Sequence, residues 1–232
     1  MTMKTSRFAP VALFLLLVAP TLAPTPATAE HPKAEHPKAE HPKAEHPATA
    51  TSTPAAVGDK APDFKLTDTD GVEHSLAQYL AEGQVVVLEW FNPDCPFIIK
   101  HHKTNRTMDE TYATLKHKGV VWLAVNSGAA GKQGAGLERN KKAREEYRMT
   151  FPVLLDENGA VGRAYGAKTT PHMFIIGKDG KLAYSGAIDD NASPTEYGTR
   201  NHIISALRGV LDGRAVPEPV TKPYGCSVKY AD

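Results

Sequence analysis

The sequence predicts an α/β fold: a mixed central β-sheet with helices on both faces. Two apolar, β-branched runs, residues 85–91 and 120–125, read as buried central strands. Helical patterns separate and follow them, and Gly177-Lys178-Asp179-Gly180 between two further apolar runs is a hairpin signal. Strand, helix, strand, helix, hairpin, helix is the order that layered α/β domains produce.

A chain of 232 residues has room for one ordinary domain plus extra segments. Lys4 and Arg7, an apolar run from Val11 to Leu22 broken by Pro20, and Ala27-Thr28-Ala29 have the layout of an export signal. Residues 1–29 are therefore expected to be a cleaved signal peptide. The apolar run is too short to cross a bilayer, so no membrane span is expected in the mature chain. Export places that chain in the periplasm or outside the cell, in an oxidising compartment. From Ala29 the unit Ala-Glu-His-Pro-Lys repeats three times, with a partial fourth copy. It carries no large apolar side chain to offset its ordering entropy, so residues 30–56 are expected to be a disordered linker. His31, His36, His41 and His46 lack a scaffold to gather them on a metal, and no metal or other cofactor is expected.

Residues 57–232 are expected to form the folded domain. Residues 85–91 are its first central strand, 95 to about 118 a helix, and 120–125 the second strand. The charged stretch 138–149 reads as a helix. Residues 174–176 and 182–185 flank the hairpin. Ile203, Leu207, Val210 and Leu211 lie on one face of a last helix, ended by Gly213, and a short tail carrying Cys226 follows. The net charge of +1 gives no reason to expect a nucleic-acid partner.

The chemistry centres on the two cysteines, Cys95 and Cys226. In an exported chain such a pair is either a structural disulfide or an attacking thiol with its resolving partner, and spacing does not separate the two. Cys95 follows a strand and starts a helix, where free backbone N–H groups and the dipole favour a thiolate. Such positions lower a cysteine pKa from about 8.5 into roughly the 3.5–7.5 range. Pro96 suits the first helical turn. Glu89 is a lone carboxylate in an apolar strand, to be either paired with a surface lysine or kept protonated as a proton carrier. Lys100, His101, His102 and Lys103 read as a solvated basic face rather than part of a Cys/His copper site. Residues 128–136 read as a glycine-rich surface loop.

The chain resembles redoxin domains of the thioredoxin fold, the group of the peroxiredoxins (AhpC/TSA) and the TlpA-like thiol–disulfide oxidoreductases. The likeness runs through Val57-Gly58-Asp59-Lys60-Ala61-Pro62-Asp63-Phe64, then Glu89-Trp90-Phe91-Asn92-Pro93-Asp94-Cys95-Pro96-Phe97, then Thr170-Pro171-His172-Met173-Phe174-Ile175-Ile176. Gly186-Ala187-Ile188-Asp189-Asp190 and Gly225-Cys226-Ser227 resemble the peroxiredoxin-like branch. The resemblance implies a thioredoxin-like fold, a reactive Cys95, and a cis-proline loop in which Thr170 and Pro171 hold a thiol substrate. It also implies a buried acid, Glu89, that moves a proton during exchange.

The likeness breaks at defined positions. Dithiol members carry a second cysteine three residues after the first, and here that residue is Ile98. Peroxiredoxins polarise the peroxide with a threonine or serine, a proline and an arginine. This chain has Asn92 and Leu88 at the first two positions and Pro171 at the third, leaving Asn92 as a single amide donor. The expected function is thus an exported thiol oxidoreductase, an enzyme that exchanges disulfides through Cys95 with Cys226 resolving. Its partners would be a thiol or disulfide substrate, protein or small molecule, and an external thiol electron donor. A peroxiredoxin-like antioxidant peroxidase and a non-catalytic metal- or partner-binding module are the alternatives.

Overall fold

A computed structural model of the chain describes residues 53–232. The expected signal peptide and nearly all of the expected linker lie outside the described residues. At the linker's end, the Ala55 N–H donates to Ala164 O at 3.2 Å.

The expected α/β fold is present. Strands β1 (Lys65–Asp68), β2 (Glu73–Ser75), β3 (Val85–Trp90), β4 (Val120–Asn126) and β5 (Val153–Leu155) come first in the chain. β6 (Thr169–Thr170), β7 (Met173–Ile176), β8 (Leu182–Gly186) and β9 (Cys226–Ser227) follow. Seven of them form one sheet in the order β2-β1-β5-β4-β3-β7-β8. β3 pairs parallel to β4 and antiparallel to β7, so it lies at the centre. All six of its residues are buried, as a strand covered on both faces requires. The hairpin joins β7 to β8.

Side chains alternate across β3, and the core divides accordingly. Val85, Val87 and Phe91 join α2 (Pro96–Ile99), α3 (Thr107–Leu115) and α6 (His202–Leu211) in one cluster through Ile98, Met108, Leu115, Ile203 and Leu207. Val86, Leu88 and Trp90 pack on the other face with Leu76 of α1 (Leu76–Ala81) and Tyr165 of α5 (Ala160–Tyr165). α4 (Leu137–Glu146) adds Ala143 to the first cluster. Cys95 belongs to that first cluster. No helix among the described residues is long and apolar enough to cross a membrane.

The helix expected to run unbroken from Cys95 to about Lys118 is divided. α2 ends after four residues, a π-helical turn spans Lys100–Thr104, and Arg106 enters the left-handed region at φ 50° before α3 starts. A π-turn widens the helix by one residue per turn. Here it brings Lys100, His101 and His102, three successive polar residues, all into the interior. The solvated basic face expected at these residues is therefore a correction: only Lys103 of the four is exposed.

Candidate active site

The turn that delivers Cys95 is fixed on every side. Phe91 N donates to Val125 O at 2.8 Å, and Cys95 N closes the turn on Asn92 O at 3.1 Å. Asn92 Oδ1 accepts from Asp94 N (2.9 Å), and its amide donates to Gln133 O (3.1 Å) in the glycine-rich loop. Arg139 grips Asp94 at 2.6 Å, and the Tyr147 hydroxyl donates to Pro93 O at 2.7 Å. Cys95 is the N-cap residue of α2, with its own backbone extended (φ −85°, ψ 125°) and Pro96 in the first turn. Asn92 shapes the turn through its side-chain oxygen and one of its two amide N–H groups, and the residue is 3% exposed.

The Thr170-Pro171 peptide is cis, at the end of β6. Cys95 Sγ lies 3.0 Å from Thr170 O and 2.7 Å from Cys226 Sγ, and both cysteines are free. The tail reaches this point as a strand: β9 pairs antiparallel with β6, Thr170 facing Cys226 and Thr169 facing Ser227. The tail is moored along its length. Thr221 N donates to Ser185 O (3.1 Å), Val228 N to Lys168 O (3.1 Å), and Ala129 N to Lys229 O (2.8 Å). The Tyr230 hydroxyl donates to Ala167 O at 2.9 Å. Under this cover Cys95 is only 1% exposed.

Gly225 makes the approach possible. It sits at φ +134°, and a Cβ there would stand 2.1 Å from Thr170 O. Gly225→Ala is both strained and blocked, at a cost of order 1–3 kcal/mol. The tail should lift, and formation of a Cys95–Cys226 disulfide on oxidation should slow by about tenfold or more in a timed thiol-trapping assay.

The two sulfurs are not equivalent. Burial first, then the contact with Cys95, pushes the Cys226 thiol up to about 12, so it is held protonated at neutral pH. Cys95 stands at the head of α2 as its N-cap residue.

Glu89 projects from β3 on the Cys95 side of the sheet and is fully buried. Its carboxylate accepts from His102 Nε2–H at 2.6 Å and from the Trp122 indole N–H at 2.9 Å. His102 Nδ1 lies 3.4 Å from Asp109 Oδ2. Burial alone would lower the His102 pKa, but Glu89 and Asp109 outweigh it and hold the imidazole up at about 9. The pairing expected with a surface lysine is thus made with a buried histidinium. Both oxygens of Glu89 are engaged in this network.

A second polar cluster on this side had no counterpart in the sequence reading. Lys100 Nζ donates to Asn191 O at 2.8 Å and lies 3.7 Å from Asp189 Oδ2. The Tyr224 hydroxyl donates to Asp189, and His101 Nε2 lies 3.0 Å from the same hydroxyl. Burial pulls His101 down to about 3, so it is neutral and donates through Nε2. The cluster pins the tail two residues before Cys226. Only Asp189, in the loop that follows β8, carried a hint, as an acid directly after the apolar Ala187 and Ile188.

Residues 57–185, more than half of the chain and including β3, Cys95 and the cis-proline, match the AhpC/TSA family. The chain belongs to the AhpC/TSA family. It is a redoxin-family enzyme with a thioredoxin-like fold. Among its curated relatives is the thiol-disulfide oxidoreductase ResA of Geobacillus thermodenitrificans, 35% identical over 56% of this chain and 68% of that protein. The ResA protein of Bacillus cereus is 30% identical over 54% of this chain and 66% of its own length. Among solved structures, an uncharacterised conserved protein from Geobacillus kaustophilus superposes with a TM-score of 0.69 at 32% identity. That match covers 76% of this redoxin and 93% of the other chain. A putative thiol:disulfide interchange protein DsbE from Chlorobium tepidum gives 0.51 at 26% identity, covering 68% and 97%.

Proposed function

We propose that this redoxin is a thiol–disulfide oxidoreductase that works outside the cytoplasm with Cys95 as nucleophile and Cys226 as resolving thiol. The observation that carries it is the 2.7 Å approach of the two sulfurs beside Thr170 and the cis-proline. Cys95 thiolate attacks one sulfur of a substrate disulfide R–S–S–R′; the Cys95–S–R bond forms and R′ leaves as a thiolate. Cys226 then loses its proton to solvent and attacks Cys95 Sγ. The Cys95–Cys226 bond forms, the bond to R breaks, and R leaves as a thiolate. Two electrons have passed from the cysteine pair to the substrate, and an external dithiol donor restores the pair.

The order of attack follows from the difference between the thiols. Contact with Cys95 helps keep Cys226 protonated. Once Cys95 is held in a mixed disulfide that contribution is gone, and Cys226 ionises more readily. Thr170 and Pro171 frame the reacting sulfur, and Pro96 sets the helix start. A disulfide is favoured over peroxide as the oxidant because Pro171 stands where peroxiredoxins carry the arginine that polarises the peroxide. Residues 1–29, with the character of an export signal, supply the compartment.

The test is mass spectrometry of the reduced protein after a stoichiometric pulse of a small symmetrical disulfide. Loss of two hydrogens, with a Cys95–Cys226 cross-link in the peptide map, is the expected product. An unreacted chain, or a stable adduct on Cys226 alone, would sink the proposal.

A further inference from the structure

The tail sits on the active site as a bound peptide would, and three successive residues each meet a matched surface. At Cys226 the sulfur touches Cys95 and the backbone lies in strand register with Thr170. At Gly225 the Thr170 carbonyl fills the space of a side chain, with its oxygen 2.1 Å and its carbon 2.7 Å from a Cβ position. At Tyr224 the ring packs against Phe97 (centroids 5.7 Å apart), and the Lys100 ammonium lies 5.5 Å over its face. Its hydroxyl donates to Asp189 and accepts from His101. Lys100 and His101 are 1% and 0% exposed, so the tyrosine enters a socket built by interior polar groups rather than lying on a surface.

We propose that Tyr224-Gly225-Cys226 is an internal stand-in for substrate. The seat it fills takes an extended, cysteine-bearing segment of a partner protein, with a small residue before the cysteine and a phenolic ring before that. The tail must lift for such a segment to enter. The inference rests on the thiol-exchange reading and adds to it the kind of polypeptide recognised. Strand pairing with β6 supplies the orientation, and the close Thr170 carbonyl excludes side chains at the middle position. The Lys100–His101–Asp189 socket selects the ring and its hydroxyl. A partner polypeptide lacking these features cannot replace the tail's contacts and competes poorly with it.

The probe is a synthetic peptide with the sequence of residues 221–229, its cysteine activated as a mixed disulfide with a small aromatic thiol. Two proteins are compared: Cys226→Ser, which keeps the tail seated, and Tyr224→Phe/Cys226→Ser, which removes the hydroxyl that Asp189 and His101 hold. Adduct formation on Cys95 is followed by mass spectrometry. The double variant should react about tenfold faster, equivalent to about 1.4 kcal/mol. In that variant, a peptide with alanine in place of the glycine should react at least about tenfold slower than the native peptide. Equal rates for the two proteins, or for the two peptides, would overturn the proposal. A small symmetrical disulfide runs in parallel. If it attaches to Cys95 while the peptides show no discrimination, the seat is wrong and the exchange chemistry stands. If it too fails to attach in the double variant, the exchange reading falls and the seat with it.

Discussion

Replacing Cys95 with serine is expected to reduce disulfide turnover to background, while replacing Cys226 with serine stops the reaction one step later. The two outcomes differ because the sulfurs have different tasks. A serine at position 95 offers no thiolate, and the attack that starts exchange is lost. With serine at 226 the first attack still occurs, but nothing 2.7 Å away remains to expel the bound partner. Single-turnover quenching should therefore show a Cys95-linked adduct accumulating to near stoichiometry in Cys226→Ser and none in Cys95→Ser. Failure of the adduct to accumulate in Cys226→Ser, with no external thiol present, would remove Cys226 from the mechanism.

The second large effect lies beneath the cysteine. His102→Leu is expected to destabilise the domain by about 3–5 kcal/mol, because Glu89 is then a fully buried carboxylate held only by the Trp122 indole. Glu89→Leu/His102→Leu should recover much of that loss, since an apolar pair leaves no charge uncompensated. The pH dependence follows from the same pair. The His102 pKa is raised in the folded state from 6.5 to about 9. Its contribution, of order 3 kcal/mol, is therefore fully present below about pH 6.5 and is lost as pH rises through about 9. Urea unfolding of the wild type between pH 6 and 10 should show this decline, and the double leucine variant should show a shallower one. A wild-type curve that rises with pH over that range would contradict the charged pair.

What the sequence revealed and what it concealed follow from how far each residue's partners lie along the chain. β3, β4, the β7–β8 hairpin and α6 were legible because each carries its own pattern: a continuous apolar run, a Gly-Lys-Asp-Gly turn, or a face at helical spacing. β6 and β9, two residues each, have no period to read, and their pairing exists only because the tail returns across the fold. Cys95 and Pro171 were legible through the family likeness of their surroundings. The pairing of Cys95 with Cys226 stayed open, because no local signal records a contact across 131 positions. Lys100, His101 and His102 misled for a related reason. A Lys-His-His-Lys string is polar by composition, yet Glu89, Asp109, Asp189, Asn191 and the Tyr224 hydroxyl meet Lys100, His101 and His102 inside the protein. Glu89 itself gave warning, as an acid within an apolar strand. Which base would meet it depended on the π-turn, which the sequence does not announce.

The hydrogen bond from Trp122 to Glu89 also gives this redoxin an intrinsic optical gauge. The chain has two tryptophans, and the sheet separates them: Trp122 packs with Cys95 on one face, and Trp90 lies on the other with its indole N–H on Ser127. A carboxylate against an indole nitrogen alters emission when its charge or its partner changes. With Trp90 replaced by phenylalanine, fluorescence of the unlabelled protein should report events on the thiol side of the sheet alone.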